Sequence, residues 1–299
     1  MTSWGSPTSD PLPAVIAATA PDVADQAAAD EQFDLAAHRS GVRRSRARRI
    51  GIGAAGLILI LLLWQAASAI LRDSVILSSV TQTARTFVHD LHHPYPTQSK
   101  SLGVDLAISL RRILIGFAIG TALGIAIGAA MSANQFTRQL IDPVIEVIRP
   151  LPPLAFIPLF IIWFGIGELP KEVLIVFGIV PIMVVATVAA LDEVPDDLRL
   201  CARTLGASRN YALLHVQIPA ALPGIVTGMR FAMAGAWTSI VAAEIIAATS
   251  GVGYLISQAG DYLNTSLVFA GIITIAIAGL VLDACLRGLL LFVDPSRRS

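Results

Sequence analysis

Five long apolar runs dominate the chain and limit what it can fold into. They lie at 50–71, 113–131, 173–191, 222–248 and 268–290. A helix of about 20 apolar residues crosses a hydrocarbon core ~30 Å thick, and each run is close to that length. A sixth run, 144–166, is also apolar but contains one arginine and several prolines. Because backbone in lipid must satisfy its own hydrogen bonds, and no run alternates like a strand, we predict an all-α membrane protein with about six transmembrane helices.

Composition and charge distribution support a membrane location and suggest an orientation. Of 299 residues, 55% are hydrophobic and only 14% are charged, whereas soluble domains are nearer to a quarter charged. Arginines cluster in "VRRSRARR" (42–49), immediately before the first run, and recur in alternate segments between the later runs. The positive-inside rule therefore predicts that both termini are cytoplasmic. Arg111 and Arg112 are the exception, because this topology puts them at the outer edge.

The runs divide the chain into segments. Residues 1–49 are rich in Ala, Pro and Asp, so we expect a disordered cytoplasmic tail that ends in the basic juxtamembrane cluster. The first transmembrane helix, 50–71, is too long and too far from Met1 for a cleaved signal peptide, despite "ASA" at 67–69, and is interpreted as an anchor. An extracytoplasmic segment follows at 72–110. A core of five helices spans 111–292, and 293–299 is a cytoplasmic tail.

One face of the second helix is made of glycine. Small residues let two helices approach closely in lipid, where no hydrophobic effect drives helices together. We therefore predict that this face is packed against another helix, in the same subunit or in a second copy. The glycines occur every four residues, at Gly116, Gly120, Gly124 and Gly128.

Polar and helix-breaking residues inside the apolar runs are candidates for a transport pathway. Proline removes a helix donor, so the irregular backbone of "IRPLPPLAFIPLF" (148–160) must face protein or a water-filled cavity. A buried charge costs at least ~2.5 kcal/mol on insertion scales. Packing against neighbouring helices, or a structural ion pair such as Asp283 with Arg287, is the alternative. The pathway candidates are Arg149, Pro153, Arg230 and Glu244.

A polar stretch at 195–219 separates the fourth and fifth runs. Asp196 and Asp197 open a helix whose apolar stripe, Leu198, Cys201, Ala202 and Leu205, ends at Gly206 in the C-terminal cap position. Ser208 is placed to cap a second short helix with Tyr211, Leu214 and Ile218 on one side, and Pro219 is expected to stop it. Two short amphipathic helices on the cytoplasmic face would form a docking surface.

Several kinds of chemistry lack their motifs. The two lysines, Lys100 and Lys171, have no phosphate-binding Gly-rich context, and no hydrolase or metalloprotease motif is present. Cys201 and Cys285 make neither a disulfide framework nor a thiolate metal site, and His92 and His93 lack further ligands. We therefore expect no enzyme, no metal, no cofactor on this chain and no nucleic-acid partner.

Five stretches in order resemble the membrane-spanning permease subunits of bacterial ATP-binding-cassette (ABC) importers. They are "SLRRILIGFAIGTALGIAIG", "IRPLPPLAFIPLFIIWFGIGE", "ARTLGASR", "IPAALPGIVTGMRFAMAGAW" and "AAEIIAATSGVGYLI". The family's loop signature is Glu-Ala-Ala, a glycine four positions on, and an Ile-x-Leu-Pro-like close. Those positions are occupied here by Leu200, Cys201, Ala202, Gly206, Val216, Ile218 and Pro219. The first two depart from the family pattern, which affects the salt bridge that the glutamate would make to the ATPase.

This resemblance implies a type I ABC importer permease fold, in which 195–219 is a coupling loop in a bacterial plasma membrane. It further implies a homodimeric pathway, a separate cytoplasmic ATPase dimer that carries ATP and Mg, and an extracytoplasmic solute-binding protein. The branch that it is similar to imports nitrate, taurine, aliphatic sulfonates, bicarbonate or thiamine-precursor pyrimidines, so a small anionic solute is expected. The residues expected at the ATPase contact are Leu198, Leu200, Cys201, Ala202, Leu205, Gly206, Ser208, Tyr211, Ile218 and Pro219.

Two other classes of function remain open on the residues alone. An ATP-independent channel or secondary transporter would have the same apolar runs but no ATPase partner. A membrane scaffold would also have them, and its deletion would leave solute uptake unchanged.

Overall fold

The computed structural model describes residues 51–94 and 100–293, and within these ranges every regular element is a helix. The predicted tails at 1–49 and 293–299 lie outside the described residues, except for residue 293, which is the last residue of a helix. Eleven α-helices are named here in chain order. They are α1 (Gly51–Leu71), α2 (Val80–Asp90), α3 (Leu102–Ala133), α4 (Gln135–Ile148), α5 (Ile157–Phe164), α6 (Leu169–Asp192), α7 (Asp196–Thr204), α8 (Arg209–Ala212), α9 (Ile218–Ala247), α10 (Val252–Asp261) and α11 (Thr265–Val293).

Five stretches of helix are long and apolar enough to cross a membrane, or six if a bent pair counts as one span. The five are Gly51–Leu71, Leu102–Ala133, Leu169–Asp192, Arg209–Ala247 and Thr265–Leu291, and the bent pair is α4 with a second helical stretch, Pro153–Phe164. This agrees with the all-α membrane fold and the six spans expected from the apolar runs. Of the described residues, 51–66 of α1 belong to one unit and those from Ala67 onward to a second.

The centre of the second unit is built from α3, α6 and α9, which pack along one another. Fully buried side chains at this centre include Ile113 of α3, Ile179 and Met183 of α6, and Ile225 and Ile240 of α9. These helices are apolar nearly all round, as expected of spans enclosed by both protein and lipid.

The predicted sixth span, 144–166, is two helices with a sharp bend. Helices α4 and α5 lie at 89° across a break that begins after Ile148. A short 3₁₀ helix, Pro153–Phe156, leads from the break into α5. The prolines explain the break, because Pro152 and Pro153 remove two donors and disfavour helix in the residues before them. The first half also begins earlier than the apolar run, at Gln135.

The helix from the second run is longer than the run predicts. It begins at Leu102 rather than near residue 113. The extra three turns carry Asp105, Ser109 and Arg112, and these polar residues are all buried. Apolarity alone could not have located this start, because polar side chains that pair inside protein are compatible with a buried helix.

The packed helices have two ends, and the predicted coupling loop, 195–219, lies at one of them. Since α6 runs from Leu169 to Asp192, residues 193–217 lie at one end and residues 165–168 at the other. We call these the loop end and the far end. Helix α9 begins at the loop end and finishes at the far end, where α10 packs against α3, α9 and α11.

Candidate functional site

The loop end presents a compact helical turn built around one glycine. Helix α7 ends at Thr204, and Gly206 follows with φ +83°, the left-handed conformation that glycine adopts without steric cost. The Ala207 N–H donates to the Ala202 carbonyl (3.0 Å) and the Gly206 N–H to the Arg203 carbonyl (2.9 Å). Ser208 then caps α8 by accepting the Tyr211 N–H at 3.3 Å. Both cap positions are those that the sequence predicted.

Most of the predicted apolar stripe on this turn faces outward. Leu205 is 87% exposed and Leu198, Leu200, Tyr211 and Leu214 are also exposed, whereas Ala202 is buried. A shallow groove of about 530 Å³ lies between α7 and α8 and is lined by Leu205, Gly206, Ser208, Tyr211 and Val216, among others. Contiguous large exposed apolar side chains are typical of protein–protein interaction surfaces.

Pro219 does not stop the second short helix, which corrects the expectation from the sequence. Helix α8 continues through one π-helical turn, Leu213–Gln217, directly into α9, so Ile218 and Pro219 belong to the first turn of a long helix. The Ile218 N–H donates to the Leu213 carbonyl, five residues back. This wider turn places Pro219 at an N-terminal position of α9, where its missing N–H leaves no gap in the hydrogen-bond ladder. The exposed groove is therefore joined to a membrane span by continuous helical backbone.

Arg149 and Pro153 line a common cavity at the break between α4 and α5. The cavity measures about 250 Å³, and its other walls come from α6 (Phe177, Gly178) and α9 (Ser239), among other residues. Gly178 and Pro181 are near the middle of α6, so the cavity lies at mid-depth between the loop end and the far end. Two of the four pathway candidates are thus brought together around space that a solute could occupy.

Arg230 is placed differently, in an ion-paired cluster. Its Nε donates to Asp283 Oδ1 at 2.7 Å, and Asp283 Oδ2 also accepts from Arg287 Nε at 2.7 Å. The predicted pair of Asp283 with Arg287 is therefore present, but Asp283 serves both arginines and ties α9 to α11. The positive charge of Arg230 is largely neutralised there.

Glu244 is completely buried at the far end and is paired with Arg112, which was not among the predicted site residues. Arg112 Nη1 donates to Glu244 Oε1 at 2.7 Å and to the Ser250 carbonyl at 2.8 Å. Arg112 Nη2 donates to Glu168 Oε1 at 2.7 Å. The arginine is 1% exposed, so its charge is enclosed by protein and is not in contact with solvent.

The same cluster caps the start of α10. Three successive backbone N–H groups, at Gly251, Val252 and Gly253, donate to Asp105 Oδ1 (2.8 Å), Ser109 Oγ (3.0 Å) and Glu244 Oε2 (2.9 Å). A helix N-terminus is electropositive, so two carboxylates satisfy its free donors. One signal could have found the cluster. Positions 105, 109 and 112 continue the glycine stripe of α3 at spacings of four and three.

Glu168, between α5 and α6, links this cluster to the surface. It accepts hydrogen bonds from Arg112, Arg111 and Lys171. The hydrogen bonds from Arg112, together with the one from Lys171, lower the pKa of the Glu168 carboxyl to about 2, so it stays ionised at any physiological pH.

The glycine face of α3 lies against α6 of the same chain. A Cβ atom at Gly116, Gly120, Gly124 or Gly128 would fall 2.3–3.0 Å from the side chains of Ile175, Ile179, Met183 and Thr187 respectively. The numbering of both helices increases together along the contact, so they run parallel. Glycine is what permits this approach, as proposed for small-residue faces in membranes.

Comparisons with known proteins agree with this architecture. Residues 120–299 match the family described as binding-protein-dependent transport system inner membrane component. The chain is 39% identical to the taurine transport system permease protein TauC of Escherichia coli K12, over 66% of this chain and 71% of that protein. It is 31% identical to the nitrate import permease protein NrtB of Synechococcus elongatus, over 80% and 88%. It is 42% identical to the putative aliphatic sulfonates transport permease protein SsuC of E. coli K12, over 62% and 70%.

Solved structures show the same fold at low identity. An inward-facing MetNI methionine ABC transporter structure aligns with TM-score 0.51 and 21% identity, over 62% of this chain and 95% of that one. An amino acid ABC transporter aligns with TM-score 0.50 and 21% identity, over 66% and 94%. With its all-helical membrane fold and a family match over more than half of its length, the chain belongs to the inner membrane components of binding-protein-dependent transport systems, as an ABC transporter permease.

Proposed function

We propose that this chain is the permease subunit of an ATP-driven ABC importer for a small anionic solute in a bacterial plasma membrane. Two copies form the pathway, a separate ATPase dimer carries ATP and Mg, and an extracytoplasmic binding protein delivers the solute. Both termini and the loop end are cytoplasmic, and the far end faces outward. The relatives named for taurine, nitrate and aliphatic sulfonates support the importer class.

The observation that carries the proposal is the exposed apolar groove at the loop end. Leu205, 87% exposed, and Tyr211, 56% exposed, stand on either side of Gly206. Helix α8, which forms one side of the groove, continues through a π-helical turn into α9. Movement of a bound ATPase is therefore transmitted to a membrane span. Rigid-body transitions of this kind let packed helices alternate between two arrangements.

The solute path in this proposal passes the mid-depth cavity beside Arg149. An arginine inside the membrane needs water, a carboxylate or carbonyl groups around it. Arg230 has Asp283 and Glu244 has Arg112, and both pairs act as structural ties. Arg149 therefore remains as the cation available to a solute.

Replacing Gly206 tests the coupling role of the loop. Purification of the tagged chain from its native host should bring down an ATPase chain. Gly206→Val should abolish that recovery or leave ATP hydrolysis without uptake, because a β-branched residue is strained at φ +83°. Gly206→Asn is the matched control, since asparagine tolerates this conformation.

Two results would contradict the proposal. Absence of any ATPase chain from the purified wild-type complex would favour an ATP-independent channel or secondary transporter. Full uptake by Gly206→Val would remove the coupling role from this glycine.

A further inference from the structure

The π-helical turn Leu213–Gln217 separates side chains that an α-helix would place on one face. The sequence predicted Tyr211, Leu214 and Ile218 on one side of a short helix. In the structure Ile218 packs against the main buried cluster, whereas Tyr211 and Leu214 are 56% and 57% exposed. The turn holds one residue more than an α-helical turn, because the Ile218 N–H reaches back five residues. The predicted apolar stripe is therefore divided between two directions.

Helical geometry shows what this turn changes. Successive residues of an α-helix are rotated by about 100°, so positions 211 and 214 of a uniform helix would lie within about 40° of Ile218. Leu213 would point about 140° away from Ile218. In the structure Leu213 is instead 8% exposed and belongs to the same buried cluster as Ala221 of α9. Relative to a uniform helix, the turn therefore rotates α8 by one residue, or roughly 100°.

Burial of apolar surface alone does not favour this arrangement. The structure buries Ala212 and Leu213, and it leaves the larger pair, Tyr211 and Leu214, outside. A uniform α-helix would turn the larger pair toward the packed helices, where burying more apolar surface is favourable. Single π-helical turns are rare and occur frequently at functional sites. The backbone thus keeps the larger side chains outside, which is typical of side chains that contact a partner.

Tyr211 is held in its outward position by its neighbours. Its ring stacks on the ring of His215, with centroids 4.2 Å apart. His215 Nδ1 donates to the Tyr211 carbonyl at 3.2 Å. Val216, which also belongs to the π-helical turn, lines the same groove as Tyr211 and Leu205. The turn therefore contributes to the groove wall as well as to its direction.

We infer that the π-helical turn sets the direction of α8, so that Tyr211 and Leu214 face the ATPase and not the packed helices. The inference rests on the proposed function, because it takes the ATPase as the partner. One residue of the turn is an insertion that the helix absorbs. Removing one residue restores an α-helix without rotating either flank, because the bond from the Ile218 N–H to the Leu213 carbonyl then spans four residues. Adding one residue rotates α8 by about 100° and turns Tyr211 and Leu214 inward.

Thiol reactivity tests the direction of α8 without an ATPase. Leu213→Cys or Leu214→Cys is placed in a chain in which the exposed Cys201 and Cys285 are replaced by serine. The chain is purified in lipid nanodiscs and treated with a water-soluble maleimide. The thiol at position 214 should react several times faster than the thiol at position 213. Deletion of Gln217 should keep this order, and insertion of an alanine after Gln217 should reverse it.

Recovery of the ATPase from the native host tests the contact itself. The chain that lacks Gln217 should bring down as much ATPase as the wild type, whereas the chain with the inserted alanine should lose it. The two variants are a matched pair, because they change the length of the same turn by one residue in opposite directions. In an ordinary α-helix both changes would rotate α8 by about 100° and both would be harmful. Gln217→Ala, which leaves the length unchanged, should behave like the wild type.

Three outcomes would overturn the inference. They are a thiol order that changes on deletion of Gln217, loss of the ATPase from a deletion variant that keeps the order, and full recovery of the ATPase by the insertion variant. Because the thiol assay contains no ATPase, its result is separate from the proposed function. A wild-type complex without an ATPase chain would refute the importer, and the thiol order alone would then decide whether the turn sets the direction of α8.

Discussion

At the scale of single residues, the buried Arg112 shows where sequence reasoning reached its limit. The sequence does not distinguish the adjacent arginines at 111 and 112, but in the structure Arg112 is 1% exposed and Arg111 makes an exposed pair with Glu168. The partners of Arg112 come from 168, 244 and 250, so only the assembled fold specifies which arginine turns inward. By contrast, the caps at Gly206 and Ser208 depend on local backbone, and the sequence predicted both.

Removing Arg112 should be much more costly than removing a surface arginine. Arg112→Gln leaves Glu244 buried without its cation, which typically costs about 3–5 kcal/mol. Arg138→Gln breaks an exposed pair with Asp192 and should cost under about 1 kcal/mol. Thermal unfolding of the purified variants measures both.

A second variant separates the ion pair from general damage. Glu244→Gln keeps the hydrogen-bonding shape and removes the charge, so the double variant with Arg112→Gln should cost less than the two single changes together. Strict additivity would show that the two residues do not depend on each other.

At the scale of elements, periodicity predicted the spans better than it predicted their ends or partners. The apolar runs located α6 and α9 within a few residues at most ends, and the glycine spacing predicted a packed face on α3. The sequence did not indicate that α6 is the partner, because that contact joins positions 59 residues apart in register, such as Gly116 and Ile175. The rule that proline ends a helix failed at Pro219 because a π-helical turn precedes it.

The α3–α6 contact should tolerate added methyl groups in proportion to the space available. A Cβ at Gly124 would lie 2.3 Å from the Met183 Cβ, and one at Gly120 would lie 3.0 Å from Ile179. Gly124→Ala should therefore destabilise the protein by about 1–3 kcal/mol through overpacking, and Gly120→Ala by less. Gly279→Ala is the control, because its nearest neighbour, Trp237 Nε1, would be 3.6 Å away. Yield and thermal unfolding in detergent report the order, and equal effects at all three positions would contradict the close approach.

At the scale of the whole molecule, two cavities are stacked along the same three elements. The mid-depth cavity is lined by Pro153, Gly178 and Ser239. A second crevice of about 320 Å³ lies toward the far end and is lined by Ile157 and Ala243, among others. Position 157 follows 153, and 243 follows 239, by about one helical turn.

The layer between the two cavities is apolar and closed. Ile157, Phe160, Leu174 and Ala243 form one buried cluster, and each is at most 5% exposed. Apart from the proline-broken helix, no sequence pattern predicts this layer, because its members come from α5, α6 and α9. In the proposed orientation this layer lies between the Arg149 cavity and the outside, and we expect α5 to move when a solute passes.

Removing side-chain volume from this layer should make the proposed importer leak. Ile157→Ala removes a side chain that is 3% exposed and forms a wall of the far-end crevice. Ethanesulfonate loaded into proteoliposomes should then escape without ATP several times faster than with the wild-type complex, because an opening replaces dry packing. Ile162→Ala, the same change on the same helix at a side chain 78% exposed, should leave the slow leak unchanged. Equal leak rates for the two variants would place the barrier elsewhere. A leak that occurs with Ile157→Ala, but not with Ile162→Ala or Ile157→Leu, would place the barrier at this turn of α5.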